Sequence, residues 1–288
     1  MLDLKNLLSE IKKSGYKRLL LQAPEGLKTE VSRIAREIEK ETGARVFIWA
    51  EPCYGACDLP IEAAKMLKVE AIIHLGHSDF GVKSEIPLIY FPIEYDLKIS
   101  STLKKEISRL NEKKVAIFSS VQFKKALDEL EEILKESGKT VIEKKIILGC
   151  SDIKTSAEVS LFIGSGKFHP KALRGTVYQI DLEKGKLVDL SQDIKREEMK
   201  RFARLEKLKT AKKVGILLSK KRGQFYPDFE KLKVKLEAMG KETEILIFDE
   251  ITNDKLLGLD FDAYINTACP RILDNHFDRP VINVRDIE

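Results

Sequence analysis

One pattern constrains this chain more than any other, and it starts three times. Apolar runs of strand length alternate with segments of helical spacing, and the order recurs after roughly a hundred residues. In the first cycle Lys17–Gln22 is a strand, and Leu27–Glu41 is a helix with apolar Leu27, Val31, Ile34, Ala35 and Ile38. Ala44–Trp49, Pro60–Leu67 and Ala71–Leu75 continue as strand, helix and strand, with Leu88–Tyr90 as a fourth strand. The second cycle has a helix at Leu103–Leu110, then Lys114–Phe118, Phe123–Glu136, Thr140–Ile147 and Glu158–Ile163, with paired strands at Val177–Ile180 and Leu187–Leu190. The charged helix Ile194–Thr210 leads into the third, which runs through Lys213–Leu218, Phe229–Met239, Glu242–Phe248, Ala263–Asn266 and Pro280–Val284. Strands alternating with helices predict an α/β fold with parallel sheets. The expected architecture is three similar small doubly wound α/β domains, residues 1–98, 99–192 and 193–288, packed around a central site.

Composition narrows the function classes. Hydrophobic residues make up 43% of the chain, enough for sizeable cores. The net charge of +5 is mild and its charges are interleaved, so no DNA partner is expected. No apolar stretch approaches the roughly 18 residues that span a bilayer, and the acid-containing N-terminus lacks a signal-peptide core. The expectation is a cytoplasmic protein with no membrane partner, whose thiols stay reduced and serve as ligands, nucleophiles or buried fillers.

In doubly wound sheets, ligands bind outside the carboxyl ends of the strands. The unusual residues fall there. Cys57, Cys150 and Cys269 each follow a strand in a different cycle, beside Gly55, Gly149 and Pro270. Taken singly, each is a small buried hydrophobe. Taken together, three thiols from three domains suit one metal centre, and three without a fourth protein ligand suit an iron–sulfur cluster with one open iron. Spacing leaves both readings open. Cys53, four residues before Cys57, also permits local chelation, but no second close pair supports a structural zinc site.

Other strand-end residues are candidates for a bound ligand. Gly164-Ser165-Gly166-Lys167 resembles an anion-cradling loop, or a tight turn. Gly223 and Gln224, after Lys220-Lys221-Arg222, suit a carboxylate or phosphate, or form a solvated basic loop. The turn from Gln22 through Glu25 and Gly26 lies at the first strand end, and His77 and His169 sit on similar loops. His74, within a strand, is expected to be a satisfied core residue, and His276 to be solvated.

Five motifs occur together and in order: Gln22-Ala-Pro-Glu-Gly-Leu27, Tyr54-Gly-Ala-Cys-Asp58, Leu148-Gly-Cys150, Gly164-Ser-Gly-Lys-Phe-His169 and Ala268-Cys-Pro-Arg271. This set resembles the archaeal diphthamide-synthesis family over almost the whole chain. The resemblance implies a 4Fe–4S cluster held by Cys57, Cys150 and Cys269, with S-adenosylmethionine as co-substrate on the open iron. It implies a 2-(3-amino-3-carboxypropyl)histidine synthase, a transferase that breaks the bond from sulfur to the methionine γ-carbon and modifies a histidine of elongation factor 2. It also implies a homodimer, and leaves the electron donor open. Eukaryotic relatives carry Thr at the position of Cys53, so Cys53 is not expected to be a ligand. Position, not a family motif, assigns Gln22, Glu25, Gly26, Gly164, Ser165, Gly166, His169, Gly223 and Gln224 to S-adenosylmethionine. Because the sequence stops at Glu288, a C-terminal extension that closes the site in relatives is expected to be missing. The alternatives are another three-domain iron–sulfur enzyme, of the quinolinate synthase kind, and a non-catalytic cluster-binding subunit.

Overall fold

The structure, a computed structural model, describes residues 3–287. The chain forms two compact units. The first runs up to Ile93 and includes Lys221–Gln224; the second holds Glu94–Lys220 and the residues from Phe225 onward.

The first unit contains α1 (Lys5–Ser14), β1 (Arg18–Gln22), α2 (Lys28–Thr42), β2 (Arg45–Ile48), α3 (Ile61–Met66), β3 (Ala71–Leu75) and β4 (Leu88–Phe91). Its sheet is wholly parallel, in the order β2-β1-β3-β4. Successive strand side chains point to opposite faces, so an all-apolar strand needs cover on both. Leu19, Leu21, Ile73 and Leu75 pack against Leu7 and Ile11 of α1 and Ile34 and Ile38 of α2. Leu20 and Ile72, of opposite parity, pack against Ile61 and Ala64 of α3. That division makes the sheet doubly wound.

The second unit holds two sheets. One is built from α4 (Ser101–Ser108), β5 (Lys114–Ser119), α5 (Lys124–Glu136), β6 (Thr140–Ile146), β7 (Val159–Ile163), β8 (Val177–Asp181) and β9 (Lys186–Asp189). Its order is β6-β5-β7-β8-β9, parallel except for the antiparallel pair β8–β9. Ile117, Leu161 and Ile163 pack on Leu130 and Leu134 of α5, while Phe118 and Phe162 fill the other face with Ala172 and Leu173. The other sheet follows α6 (Ser191–Thr210) and comprises β10 (Lys213–Ser219), α7 (Phe229–Ala238), β11 (Glu242–Phe248), α8 (Asn253–Leu256), β12 (Ala263–Asn266) and β13 (Val281–Asn283). It is parallel, in the order β11-β10-β12-β13.

All three sheets thus place the first strand of the cycle between the second and third, so the repeat of the sequence recurs in the topology. The compact units group the second and third sheets together and give residues 221–224 to the first unit. The helix expected from Leu103 begins two residues earlier, because the Ser100 hydroxyl accepts from the Leu103 N–H at 3.3 Å and caps it. Among the described residues no helix is long and apolar enough to cross a membrane.

Candidate functional site

In the first unit the strand ends meet at the cysteine loop. Gln22 closes β1 beside His74 of β3 in register, and both are fully buried. The Gln22 amide Nε2 donates to the Asp58 carbonyl at 2.6 Å, which leaves Oε1 to accept from His74 Nδ1 at 2.7 Å. His74 must then carry its proton on Nδ1, so its Nε2 accepts from His77 Nδ1 at 3.0 Å. Burial, and then the neighbouring His77, push the His74 pKa down to about 3, so the ring is neutral. His74 is therefore the satisfied core residue that its place in a strand suggested.

Cys53 and Cys57 share the loop but differ in state. Cys53 is buried, and burial followed by the nearby Asp58 carboxylate pushes its thiol up to about 12. Cys57 is partly accessible. The sulfur of Cys53 and the ring nitrogens of His74 and His77 offer ligand atoms within 4.8 Å of one another. Both His74 nitrogens are hydrogen-bonded, to Gln22 and His77, and the Cys53 thiol lies 3.9 Å from the Gly55 carbonyl, so these side chains tie the strand ends and the cysteine loop locally.

Residues 221–224, which follow β10 in sequence, belong to this unit and lie on the same loop. Lys221 Nζ reaches the Asp58 carboxylate at 2.8 Å, Arg222 binds Glu85 through both carboxylate oxygens at 2.8 and 2.9 Å, and Gln224 Nε2 lies 3.7 Å from Cys57 Sγ. The basic triplet is therefore not simply a solvated loop: two of its side chains hold carboxylates of the first unit. Glu25 and Gly26 are exposed, and Glu25 pairs with Lys28 at 2.6 Å.

In the second unit, Cys150 is exposed on the turn after β6. The Arg285 guanidinium donates to the Cys150 carbonyl at 3.2 Å. Crowding by protein atoms raises the Cys150 thiol pKa, while the Arg285 charge opposes that shift. Cys269 is partly accessible at the end of β12, where buried Asn266 donates to its carbonyl at 3.1 Å and to Asn283 Oδ1 at 2.8 Å. The Gly164–Gly166 loop is shaped by Gln179, whose Nε2 donates to the carbonyls of Gly164 at 2.7 Å and Gly166 at 3.0 Å. Ser165, Gly166 and His169 line a cleft of about 520 Å³ together with Lys171, Arg204 and Arg271. Arg271 lies over the Phe168 ring at 5.3 Å.

These strand ends can be compared with known proteins. Residues 23–288 match the family model described as diphthamide synthesis protein. The chain belongs to the diphthamide synthesis protein family. A curated relative from Pyrococcus horikoshii, named 2-(3-amino-3-carboxypropyl)histidine synthase, is 34% identical over 98% of this chain and 88% of its own length. One of the same name from Methanocaldococcus jannaschii is 30% identical over 92% of this chain and 81% of its own. The crystal structure of Dph2 from Pyrococcus horikoshii with a 4Fe-4S cluster matches with a TM-score of 0.85 at 30% identity, covering 100% of this chain and 90% of that one.

For this member of the diphthamide synthesis family, sequence reasoning found the strand ends but missed several side chains that shape them. Asp58 and Lys221 form a nearly buried ion pair, and Phe168, Arg271 and Arg285 pack around the second-unit loops. Asp58, Phe168 and Arg271 stand in the ordered motifs and Lys221 in the basic triplet, but their partners lie far away in sequence, and Arg285 had no local signal.

Proposed function

We propose that this chain is a 2-(3-amino-3-carboxypropyl)histidine synthase that breaks the sulfur–Cγ bond of S-adenosylmethionine and transfers the 3-amino-3-carboxypropyl group to a histidine of elongation factor 2. The observation that carries this reading is the near full-length match, at 34% identity, to a curated synthase of that name. A 4Fe–4S cluster is the implied cofactor, and the donor set fits it. Three of the four thiols, Cys57, Cys150 and Cys269, are accessible on strand-end loops, whereas Cys53 is buried and held protonated. Thiolates are soft ligands suited to iron. In this reading Cys57, Cys150 and Cys269 hold the cluster, which when bound supplies one electron to the scissile bond of S-adenosylmethionine.

The chain's own residues then bind and orient. Ser165, Gly166 and His169 line a cleft with Arg271, whose cationic head suits the carboxylate of the methionine moiety, and with Lys171, which is paired with Asp274. Gln22, tied to the Asp58 carbonyl, holds the Cys57 loop against the β1 and β3 ends. Glu25 and Gly26, exposed and engaged locally, fit a ligand-binding role less well. A homodimer and a cytoplasmic location complete the proposal. Their support is the family likeness and the sequence composition.

The test is anaerobic purification followed by incubation with carboxypropyl-labelled S-adenosylmethionine, a reductant and elongation factor 2. Brown protein with about four irons per chain, label on the factor's histidine and release of methylthioadenosine are expected. Colourless protein with stoichiometric zinc, or release of deoxyadenosine instead, would overturn the reading.

A further inference from the structure

Four consecutive residues are held at the loop of Cys57, three by contacts to the loop itself and Arg222 by carboxylates beside it. Lys221 pairs with the nearly buried Asp58 carboxylate at 2.8 Å. Arg222 binds Glu85 and also reaches Glu62 at 3.2 Å. Gly223 lies so close that a Cβ there would stand 2.5 Å from the Cys57 carbonyl oxygen and 2.6 Å from its Cα. The turn closes with the Gln224 N–H donating to the Lys221 carbonyl at 2.9 Å. Together these contacts deliver the Gln224 amide to the Cys57 sulfur, with Nε2 3.7 Å from Sγ.

An amide presents one donor end and one acceptor end. Facing a thiolate, the acceptor oxygen is repelled and the N–H₂ is attracted, and the N–H₂ is the end that faces Sγ. Hydrogen bonds to ligand sulfurs help set the reduction potential of an iron–sulfur centre. Reduction adds a negative charge that spreads onto the ligand sulfurs, and a donor gains more from the more negative sulfur.

We propose that Gln224 is a positioning residue for the Cys57 sulfur, whose N–H···S bond stabilises the reduced state of the centre that Cys57 ligates. The proposal rests on the cluster reading above. It gives the segment that follows β10 a role in setting how readily the centre accepts its electron, rather than in binding an external anion.

The experiment is an anaerobic redox titration, followed by electron paramagnetic resonance, of the intact chain and three variants: Gln224→Met, Gln224→Glu and Arg222→Gln. Met removes the donor and keeps the bulk. Glu also adds a charge. Arg222→Gln loosens the same grip without touching sulfur. At the wild-type midpoint potential, Gln224→Met is expected to lower the ratio of reduced to oxidised centre by up to about tenfold, equivalent to 59 mV for one electron. Gln224→Glu is expected to lower it further, and Arg222→Gln to leave it near wild type. Unchanged midpoints in both Gln224 variants would overturn the proposal, as would an equal shift in Arg222→Gln. If Gln224→Met loses its iron, the midpoint of Gln224→Glu decides alone. Loss of iron from both, at wild-type melting temperature, assigns the side chain to assembly and also overturns it. Wild-type protein without iron would instead refute the cluster reading.

Discussion

The Phe168 ring occupies the space that a side chain on Gly149 would take. A Cβ on Gly149 would lie 2.5 Å from two Phe168 ring carbons and 2.6 Å from the Phe168 carbonyl oxygen. The residue preceding Cys150 is thus pinned under the loop that follows Gly164.

Gly149→Ala should therefore push the Cys150 loop and Phe168 apart. Overpacking of this kind costs about 1–3 kcal/mol. Urea denaturation is expected to show that loss, and the iron content of anaerobically purified protein should fall with it. Wild-type values for both would mean that the two loops separate freely.

Lys221→Met leaves the Asp58 carboxylate, 7% exposed, without its partner. Removing one member of a buried pair strands a charge, at a cost of about 3 kcal/mol. Asp58→Asn combined with Lys221→Met should recover part of that loss, because no charge is then left stranded. A double variant as unstable as the sum of the singles would show that the two residues act independently.

Thiol chemistry should separate Cys53 from the rest in protein stripped of metal. With its thiol pushed up to about 12 and its side chain buried, Cys53 is expected to resist iodoacetamide at pH 8 until the protein unfolds. Cys57, Cys150 and Cys269, which solvent reaches, should react before it. Peptide mapping that found Cys53 alkylated early would contradict this order.

His74 should make stability fall with acid. Its folded pKa is depressed from 6.5 to about 3, so the unfolded chain binds the proton and the folded chain does not. The stabilisation is complete above pH 6.5 and is lost as the pH falls toward 3. Between pH 6 and 4 the wild type should lose about 1.4 kcal/mol per pH unit more than His74→Leu does. Parallel pH dependences, measured by urea denaturation, would show that His74 takes up its proton without unfolding.

Much of the fold was legible in the sequence because local physics carried it. Strands such as Leu19–Leu21 and Ala71–Leu75 are apolar at every position, which requires cover on both faces. Helices such as Lys28–Thr42 repeat their apolar residues at helical spacing. The helix start at Ser101 was misjudged by two residues, because a cap depends on one hydroxyl rather than on a period. The strand-end rule located the loops of Cys57, Cys150 and Cys269, and the ordered motifs indicated the family.

What the sequence determined by itself was the repeat, the three doubly wound sheets and the placing of three cysteines at strand ends. Each follows from periodicity within a few turns of chain. The tertiary structure decided which thiol is buried and which are accessible. Cys53 and Cys57 are four residues apart and locally alike, yet Cys57 is partly accessible while Cys53 is buried, and burial and the Asp58 charge push the Cys53 thiol up to about 12. It also decided that Gln224 faces the sulfur of Cys57, 167 positions away in sequence. Solvation and through-space charge depend on what packs around an atom, and no local spacing in the chain encodes that.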